Sequence, residues 1–298
     1  MAQNGNINEN KNENYKKNNK KENKSSRRSK PKNFKSAIVF LTRIPIKLKD
    51  TDFNYKELAC RMHLFIPVAL IIGLIVSFLG VLLYAFFPKL IIGYFLLGAI
   101  IWITGGHHAD GLIDFGDAIM ATGTPERKLE IMHASTIGAG GFLAGFLILN
   151  LTALFLAEFS SHSLSIGLMV IGITLAEIYA KLSMVVACGL EKKGNTPMAG
   201  DFIRNTNKKN IILAIFYSTL FAILMILFNN NVIFYFGKNV SPLSVNPQWV
   251  NNIIINLNLD RLTKITLPQI LLILIIMPAI SFISAYKMIK IAKNKLTP

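Results

Sequence analysis

The sequence predicts an all-α polytopic membrane protein, with about six transmembrane helices behind a disordered basic tail. Of its 298 residues, 52% are hydrophobic, and many of these lie in long runs with few charges. A run of about twenty such residues is long enough to cross a bilayer as a helix. The formal net charge of +16 lies largely in the N-terminal tail and between the runs. This composition excludes a soluble globular domain.

The predicted disordered tail comprises residues 1–33. It is rich in Asn, Lys and Ser and contains almost no apolar residue, so it cannot bury enough surface to fold. It also lacks the compact apolar segment of a secretory signal. Its positive charge could hold anionic lipid or nucleic acid, but a solvated tail accounts for it as well. We expect the lipid bilayer, and no nucleic acid, as a partner.

Six apolar segments follow and make residues 34–298 a single transmembrane domain. Four are long and nearly uncharged, one is short, and the last is interrupted by Pro278. The predicted spans, in chain order, are 64–87, 90–104, 138–156, 165–188, 211–236 and 267–291.

Lysine and arginine are distributed unevenly between the predicted loops. With the N-terminus inside, the loops 105–137 and 189–210 and the C-terminal tail lie on the inner side, and all are basic. The two short outer loops hold one lysine, and the long outer segment 237–266 holds three basic residues. Because basic loops stay in the cytoplasm, we expect both termini and the loop 105–137 on the cytoplasmic side of the cell membrane.

Three aspartates follow the second predicted span. Asp110, Asp114 and Asp117 stand at i, i+4 and i+7, so their carboxylates share one face of a helix. Unpaired carboxylates repel one another and are costly near lipid, and a divalent cation removes both costs. Mg²⁺ prefers carboxylate oxygens and commonly bridges them to substrate phosphates. The pattern indicates a magnesium-dependent phosphoryl-transfer site, and its alternative is an aspartate that caps a short helix.

Histidine and glycine surround these aspartates. His108 could donate to a phosphate, transfer a proton or bind the metal, and its alternative is a bond to a backbone carbonyl. Gly105, Gly106, Gly111 and Gly116 would let backbone N–H groups approach a phosphate closely. We therefore place His108 with the catalytic candidates, and Gly105, Gly106 and Gly111 with the substrate-binding ones.

Charged residues farther along the chain extend the candidate site. Arg127 could hold a diphosphate and Glu130 could join the metal's carboxylates, or the two could pair on a solvated face. Lys181 lies about two helical turns from the cytoplasmic end of its span, within reach of a substrate phosphate. It also lies four residues after Glu177, and an ion pair is the simplest account of both charges.

Two more substrate-binding candidates lie beside the spans. Arg43, in the segment 42–45 before the first span, could face lipid headgroups or a nucleotide. Ser135 stands before the small residues that open the third span, where either an anion or tight helix packing is expected. Packing is the better explanation for Gly140 and Gly141, and the role of Ser135 stays open.

Together these elements resemble the cobalamin synthase family, also called adenosylcobinamide-GDP ribazoletransferase. The resemblance covers roughly residues 34–205. The matching residues are Thr42-Arg43-Ile44-Pro45, Gly105-Gly106-x-His108-x-Asp110-Gly111-Leu112-x-Asp114-x-x-Asp117, Glu126-Arg127-x-x-Glu130-Ile131-Met132 and Ser135-x-Ile137-Gly138.

The resemblance implies a membrane enzyme that joins the two halves of a cobamide. Adenosylcobinamide-GDP would lose GMP while its cobinamide phosphate passes to a ribose hydroxyl of α-ribazole or of α-ribazole 5′-phosphate. The implied cofactor is Mg²⁺, held by Asp110, Asp114 and Asp117, with Arg127 and Lys181 on phosphate. One carboxylate would orient or deprotonate the attacking hydroxyl. Further partners could be a second copy of the chain or other corrinoid enzymes.

The chain departs from the family pattern at two places. Ala134 replaces an aspartate expected before Ser135. A C-terminal Gly-Asp-x-x-Gly-Ala-x-x-Glu element is expected after the last basic segment, and the sequence to Pro298 does not contain it. If that element carries metal ligands, activity would be weakened, lost, or completed by another chain.

Other functions use similar residues. The aspartate motif of CDP-alcohol phosphotransferases begins Asp-Gly-x-x-Ala-Arg. In this chain Leu-Ile-Asp-Phe follows Asp110-Gly111, so the Ala-Arg pair is missing. A cation-coupled transporter could use the aspartates, although such sites tend to lie at mid-bilayer among internal repeats. A non-catalytic scaffold for corrin enzymes is a third alternative. We expect the ribazoletransferase.

Overall fold

The computed structural model describes residues 33–47, 53–84, 86–160, 166–191, 197–239 and 272–296. Within these segments every regular element is a helix, so the predicted all-α fold is confirmed. The predicted disordered tail lies outside the described residues except for Asn33, which begins the first helix. Most of the outer segment 237–266 also lies outside them.

Eleven α-helices occupy the described residues. A 3₁₀ turn, Met62–Leu64, precedes the third helix, and a π-helical turn, Leu272–Ile276, precedes the last. In chain order the helices are α1 (Asn33–Leu41), α2 (Tyr55–Ala59), α3 (Phe65–Tyr84), α4 (Lys89–Thr104), α5 (His107–Met120), α6 (Pro125–Met132), α7 (Ala139–Phe159), α8 (Ile166–Leu190), α9 (Pro197–Asn205), α10 (Lys208–Asn239) and α11 (Met277–Leu296).

Several helices are long and apolar enough to cross a membrane. Helices α4 and α5 pass this test only as a pair, and a 96° bend separates them. The pair is either a broken span or a re-entrant loop. Its first helix, α4, corresponds to the predicted short span 90–104. With this pair the number of candidate spans is six, as predicted. The other five are Met62–Tyr84, Ala139–Phe159, Ile166–Leu190, Lys208–Asn229 and Ile273–Leu296.

Helix α8 forms the centre of the bundle. It packs against α3, α10 and α11, and most of its apolar length is buried. Its contact with α3 is close, because a Cβ added to Gly73 would lie 2.6 Å from Cα of Thr174. On the α11 side, the Tyr179 hydroxyl donates to the carbonyl of Ile273 at 2.8 Å. Small residues and interhelical hydrogen bonds thus hold these helices together, as in other membrane bundles.

Helix α7 packs against α4 and α5 at the edge of the bundle. A Cβ on Gly93 of α4 would lie 2.8 Å from Cβ of Ala157 on α7, so these two helices also approach closely. The outer face of α7 presents large exposed apolar side chains, including Phe142, Phe146 and Phe155. An apolar surface of this kind indicates a lipid-facing helix.

Basic residues gather at one end of the bundle. Helices α1, α2, α6 and α9 lie at this end, where the Lys293 ammonium of α11 is 3.3 Å from the Glu191 carboxylate that follows α8. Lys89 lies at the opposite end. The basic residues of the first end include Lys35, Arg43, Lys47, Lys56, Arg61, Arg127, Lys128, Arg204, Lys208, Lys209, Lys293 and Lys295.

Candidate active site

Two glycines form the bend between α4 and α5. Gly105 and Gly106 have φ angles of 75° and 78°, a left-handed conformation that any side chain would strain. The N–H of Gly105 donates to the carbonyl of Trp102, and that of Gly106 donates to the carbonyl of Ile101. These N–H groups, which we expected to approach a phosphate, therefore satisfy the C-terminus of α4. Their backbone conformation explains why both residues are glycine.

Arg43 lies against this bend. Its backbone N–H donates to the carbonyl of Ile103 at 2.7 Å. Its aliphatic carbons cover Gly105, where an added Cβ would lie 3.0 Å from Cγ of Arg43. Arg43 is nevertheless exposed. The structure thus brings this predicted substrate-binding residue to the beginning of the acidic helix.

Helix α5 holds its three aspartates in different surroundings. Asp110 is exposed, Asp114 is half-buried, and Asp117 is only 8% exposed. Partial burial disfavours the ionised form of Asp114, and so do the charges of Asp110 and Asp117, whereas His133, which belongs to no sequence motif, favours it. A Cβ on Gly111 would have no neighbour within 4 Å, so the helix surface beside Asp110 and Asp114 is open.

Asp117 caps the neighbouring helix α7. Its Oδ2 accepts a hydrogen bond from the N–H of Gly138 at 2.8 Å, and its Oδ1 accepts one from Gly141 at 2.7 Å. The sequence alternative was an aspartate that caps a short helix, whereas Asp117 caps the long helix α7 from across the α5–α7 interface. The packing role expected for Gly140 and Gly141 is confirmed, because a Cβ on Gly140 would lie 2.8 Å from Cβ of Met120.

A chain of polar side chains, buried where it meets α8, connects α5 to the centre of the bundle. Nζ of Lys181 lies 3.1 Å from Nε2 of His108 and 3.6 Å from Oε2 of Glu177. Lys181 is 3% exposed and Glu177 is 9% exposed. The expected pair between Glu177 and Lys181 is therefore confirmed. The contact of Lys181 with His108 was not predicted. The contact expected between Lys181 and a substrate phosphate stays a prediction.

Helix α6 presents a charged pair at the surface. Nη1 of Arg127 donates to Oε2 of Glu130 at 2.8 Å, and both side chains are about two-thirds exposed. The Thr124 side chain caps this helix by accepting from the N–H of Arg127. Hydrogen bonds from its own backbone N–H and from the Thr124 hydroxyl hold the pKa of Glu126 below its usual value. Pairing on a solvated face is confirmed, and the exposure leaves both charges accessible.

The predicted site residues lie at the basic end of the bundle. Helix α6 packs on α5, and Ser135 is exposed in the link from α6 to α7. Within the described residues, no three His, Cys, Asp or Glu side chains are close enough together to hold a metal ion by themselves. Asp110 and Asp114 are accessible, and a carboxylate pair of this kind can bind a cation together with substrate oxygens.

The fold and the site define a polytopic membrane protein that presents an acidic helix at the basic end of its bundle. Comparison with known proteins narrows this class. The family model described as cobalamin-5-phosphate synthase matches residues 33–287. The chain therefore belongs to this family, as its motifs predicted.

Similar curated proteins carry the name adenosylcobinamide-GDP ribazoletransferase. The relative from Methanocella arvoryzae is 32% identical over 181 residues, which are 61% of this chain and 66% of the relative. The relative from Methanosarcina barkeri is 28% identical over 64% of this chain and 72% of its own length. The relative from Shewanella amazonensis is 36% identical over 49% of this chain and 57% of its own length. No solved structure matches the chain.

Proposed function

We propose that this chain transfers the cobinamide phosphate of adenosylcobinamide-GDP to a ribose hydroxyl of α-ribazole or of α-ribazole 5′-phosphate. The family match and the names of the relatives support this reaction. The structural observation that carries it is the accessible pair Asp110 and Asp114 at the end of the bundle where basic residues gather. Transfer of a phosphate group depends on positioning and on neutralising the charge of the diphosphate, and this end offers groups for both.

We propose Mg²⁺ as the cofactor, held by Asp110 and Asp114. The two carboxylates lie one helical turn apart and interact unfavourably, which is the cost that a divalent cation removes. Two protein carboxylates are a sufficient donor set, because Mg²⁺ usually completes its coordination with substrate phosphates and water. When bound, the ion would neutralise negative charge on the diphosphate.

Other side chains would bind and orient the substrates. Arg127 offers a planar set of N–H donors that suits a phosphate, and its partner Glu130 is equally exposed. Arg43 stands at the beginning of α5, where it can contact the nucleotide. Gly111 and Ser135 are exposed and leave room for a phosphate to approach.

The reaction breaks the bond between the β-phosphorus and the oxygen that leaves with GMP. A new bond forms between the same phosphorus and the ribose oxygen, and the hydroxyl gives up its proton. His108 and the carboxylates of α5 are the groups placed to orient this hydroxyl or accept its proton. Lys181, which is buried against His108, would act by holding the imidazole.

We infer that the end of the bundle with α5 faces the cytoplasm from within the cell membrane. The uneven distribution of lysine and arginine between the two ends supports this orientation. Assembly with a second copy or with other corrinoid enzymes stays a prediction.

The test is GMP release by the purified chain in detergent or liposomes. The chain would receive adenosylcobinamide-GDP and either α-ribazole or its 5′-phosphate, with Mg²⁺ or with EDTA. We expect metal-dependent GMP together with a joined cobamide, detected by mass spectrometry. A folded, monodisperse protein that yields neither product would contradict the proposal. CMP release from a CDP-alcohol would favour the phosphotransferase alternative instead.

A further inference from the structure

We propose that Asp117 is a positioning residue, which fixes the acidic helix α5 to the membrane helix α7 and does not ligate the metal. The inference deepens the proposed function, because it decides which of the three aspartates act on the cation. It gives Asp117 a different role from Asp110 and Asp114, although their spacing places all three on one face of a helix.

The first argument is that both carboxylate oxygens of Asp117 already have backbone partners. Oδ2 accepts from Gly138 and Oδ1 from Gly141, at 2.8 and 2.7 Å. Gly138 is the N-cap residue of α7 and has no side chain to cap the helix, and Gly141 is the third residue after it. The N–H at that position is one that an N-cap side chain normally bonds. Asp117 thus supplies from α5 the cap that α7 lacks, and its charge suits the positive end of that helix.

The second argument is the space around the carboxylate. A Cβ added to Gly138 or to Gly141 would collide with an oxygen of Asp117. Close by, a Cβ on Gly116 of α5 would lie 2.5 Å from Cβ of Ala144 on α7. The two backbones therefore approach closely around Asp117 and leave it 8% exposed. Asp110, by contrast, is exposed.

The third argument is mechanical. Helix α5 begins at the bend of Gly105 and Gly106, and Asp117 holds it one turn from its other end. Asp114 lies about one turn before Asp117, and Asp110 lies about two turns before it. A helix held at both ends keeps its intermediate side chains at a fixed height and rotation. The hydrogen bonds of Asp117 to α7 therefore set the positions of the Asp110 and Asp114 carboxylates relative to the bundle.

The experiment compares four variants of the full chain in detergent: Asp114→Asn, Asp117→Asn, Gly141→Ala and Gly145→Ala. Gly141→Ala displaces the Asp117 carboxylate without changing any acidic residue, and its Cβ also presses on the backbone carbonyl of Ile113. Gly145→Ala is its matched control, because its Cβ meets Ile113 in the same interface without touching Asp117. Binding of Mn²⁺, followed by electron paramagnetic resonance, reports the metal site independently of turnover. Amide hydrogen exchange at the beginning of α7 reports the hydrogen bonds that Gly138 and Gly141 donate to Asp117.

We expect Asp114→Asn to lose Mn²⁺ binding and Asp117→Asn to retain it. Asp117→Asn and Gly141→Ala should speed amide exchange at the beginning of α7 by about twofold to thirtyfold, the range that corresponds to loss of a helix cap. Both should lower kcat for GMP release more than they raise KM. Gly145→Ala should leave exchange at Gly138 and Gly141 unchanged.

Two results would overturn the inference. One is loss of Mn²⁺ binding in Asp117→Asn but not in Gly141→Ala, which would make Asp117 a ligand. The other is rapid exchange of the Gly138 and Gly141 amides in the unmodified protein, a measurement that needs no variant. If Asp114→Asn also retained Mn²⁺, the proposed metal site would fail, while the exchange data would still decide the role of Asp117.

Discussion

Nζ of Lys181 lies 3.1 Å from Nε2 of His108, and this contact connects the buried centre of the bundle to the acidic helix. Because an ammonium group can only donate, Nε2 accepts, and a neutral His108 carries its proton on Nδ1. Glu177, 3.6 Å from the same ammonium, supplies the opposite charge that a buried lysine needs. The orientation of His108 is thus set from α8.

Replacing Glu177 should therefore destabilise the whole domain. Glu177→Gln leaves Lys181 buried without its counter-charge, a change that typically costs about 3–5 kcal/mol. The double variant Glu177→Gln/Lys181→Met should recover most of this loss, because it removes both charges. Thermal unfolding in detergent measures the effect.

Arg204→Gln provides the control for this comparison. Arg204 pairs with Asp201 at 3.5 Å but is mostly exposed, so its loss should cost no more than about 1 kcal/mol. If Glu177→Gln were as stable as this control, the buried pair would not support α8. If the double variant were less stable than Glu177→Gln alone, the missing counter-charge would not be the cause.

The fold could be predicted because its signal is local. The length and apolarity of each run predict a spanning helix, and the basic loops between the runs distinguish the two ends. The bend of α4 against α5 was not predicted. Gly105 and Gly106 were interpreted as phosphate contacts, although their left-handed backbone is what ends α4. A glycine pair in a sequence does not show whether conformation or ligand approach selected it.

Contacts in the candidate site could be predicted where the two contacting residues are close in sequence. The pairs Glu177 with Lys181 and Arg127 with Glu130 stand four and three residues apart, so helical spacing alone finds them. The bond between His108 and Lys181 spans 73 residues. Such contacts depend on which helices pack together, and one sequence does not determine that. The cap that Asp117 provides for α7 was missed for the same reason.

Asp114 gives the most direct test of the proposed chemistry. Asp114→Asn keeps the size of the side chain but removes one of two carboxylates proposed to hold Mg²⁺, so GMP release should be abolished. Membrane insertion should persist, because Asp114 is only half-buried and lies outside the core. Initial rates across a Mg²⁺ series measure the first effect, and detergent extraction with size-exclusion chromatography measures the second.

The matched control for Asp114 is Glu57→Gln on helix α2. Glu57 is an exposed carboxylate at the same end of the bundle, and the proposed reaction gives it no role. Its variant should release GMP at the rate of the unmodified protein. Wild-type turnover by Asp114→Asn would remove this aspartate from the active site.

Gly105 and Gly111 should respond in opposite ways to alanine. At Gly105 the φ of 75° and the contact with Arg43 make a side chain unfavourable, so Gly105→Ala should destabilise the protein by about 1–2 kcal/mol. At Gly111 the backbone is helical and a Cβ meets nothing, so Gly111→Ala should stabilise it by roughly 0.5–1 kcal/mol. Thermal unfolding of the two variants compares these effects. Equal unfolding temperatures would contradict the assigned bend.

The exposed pair on α6 separates a structural role from a substrate-binding role. Because both side chains are about two-thirds exposed, Arg127→Gln and Glu130→Gln should each change stability by less than about 1 kcal/mol. Only Arg127→Gln removes a donor to the diphosphate, so it should raise KM for adenosylcobinamide-GDP and leave KM for α-ribazole unchanged. Glu130→Gln frees the guanidinium and should not raise either KM. It should shift the Mg²⁺ dependence only if Glu130 joins the metal. Equal kinetic losses in the two variants would show that the pair itself, and not a contact of Arg127 with phosphate, is what the reaction needs.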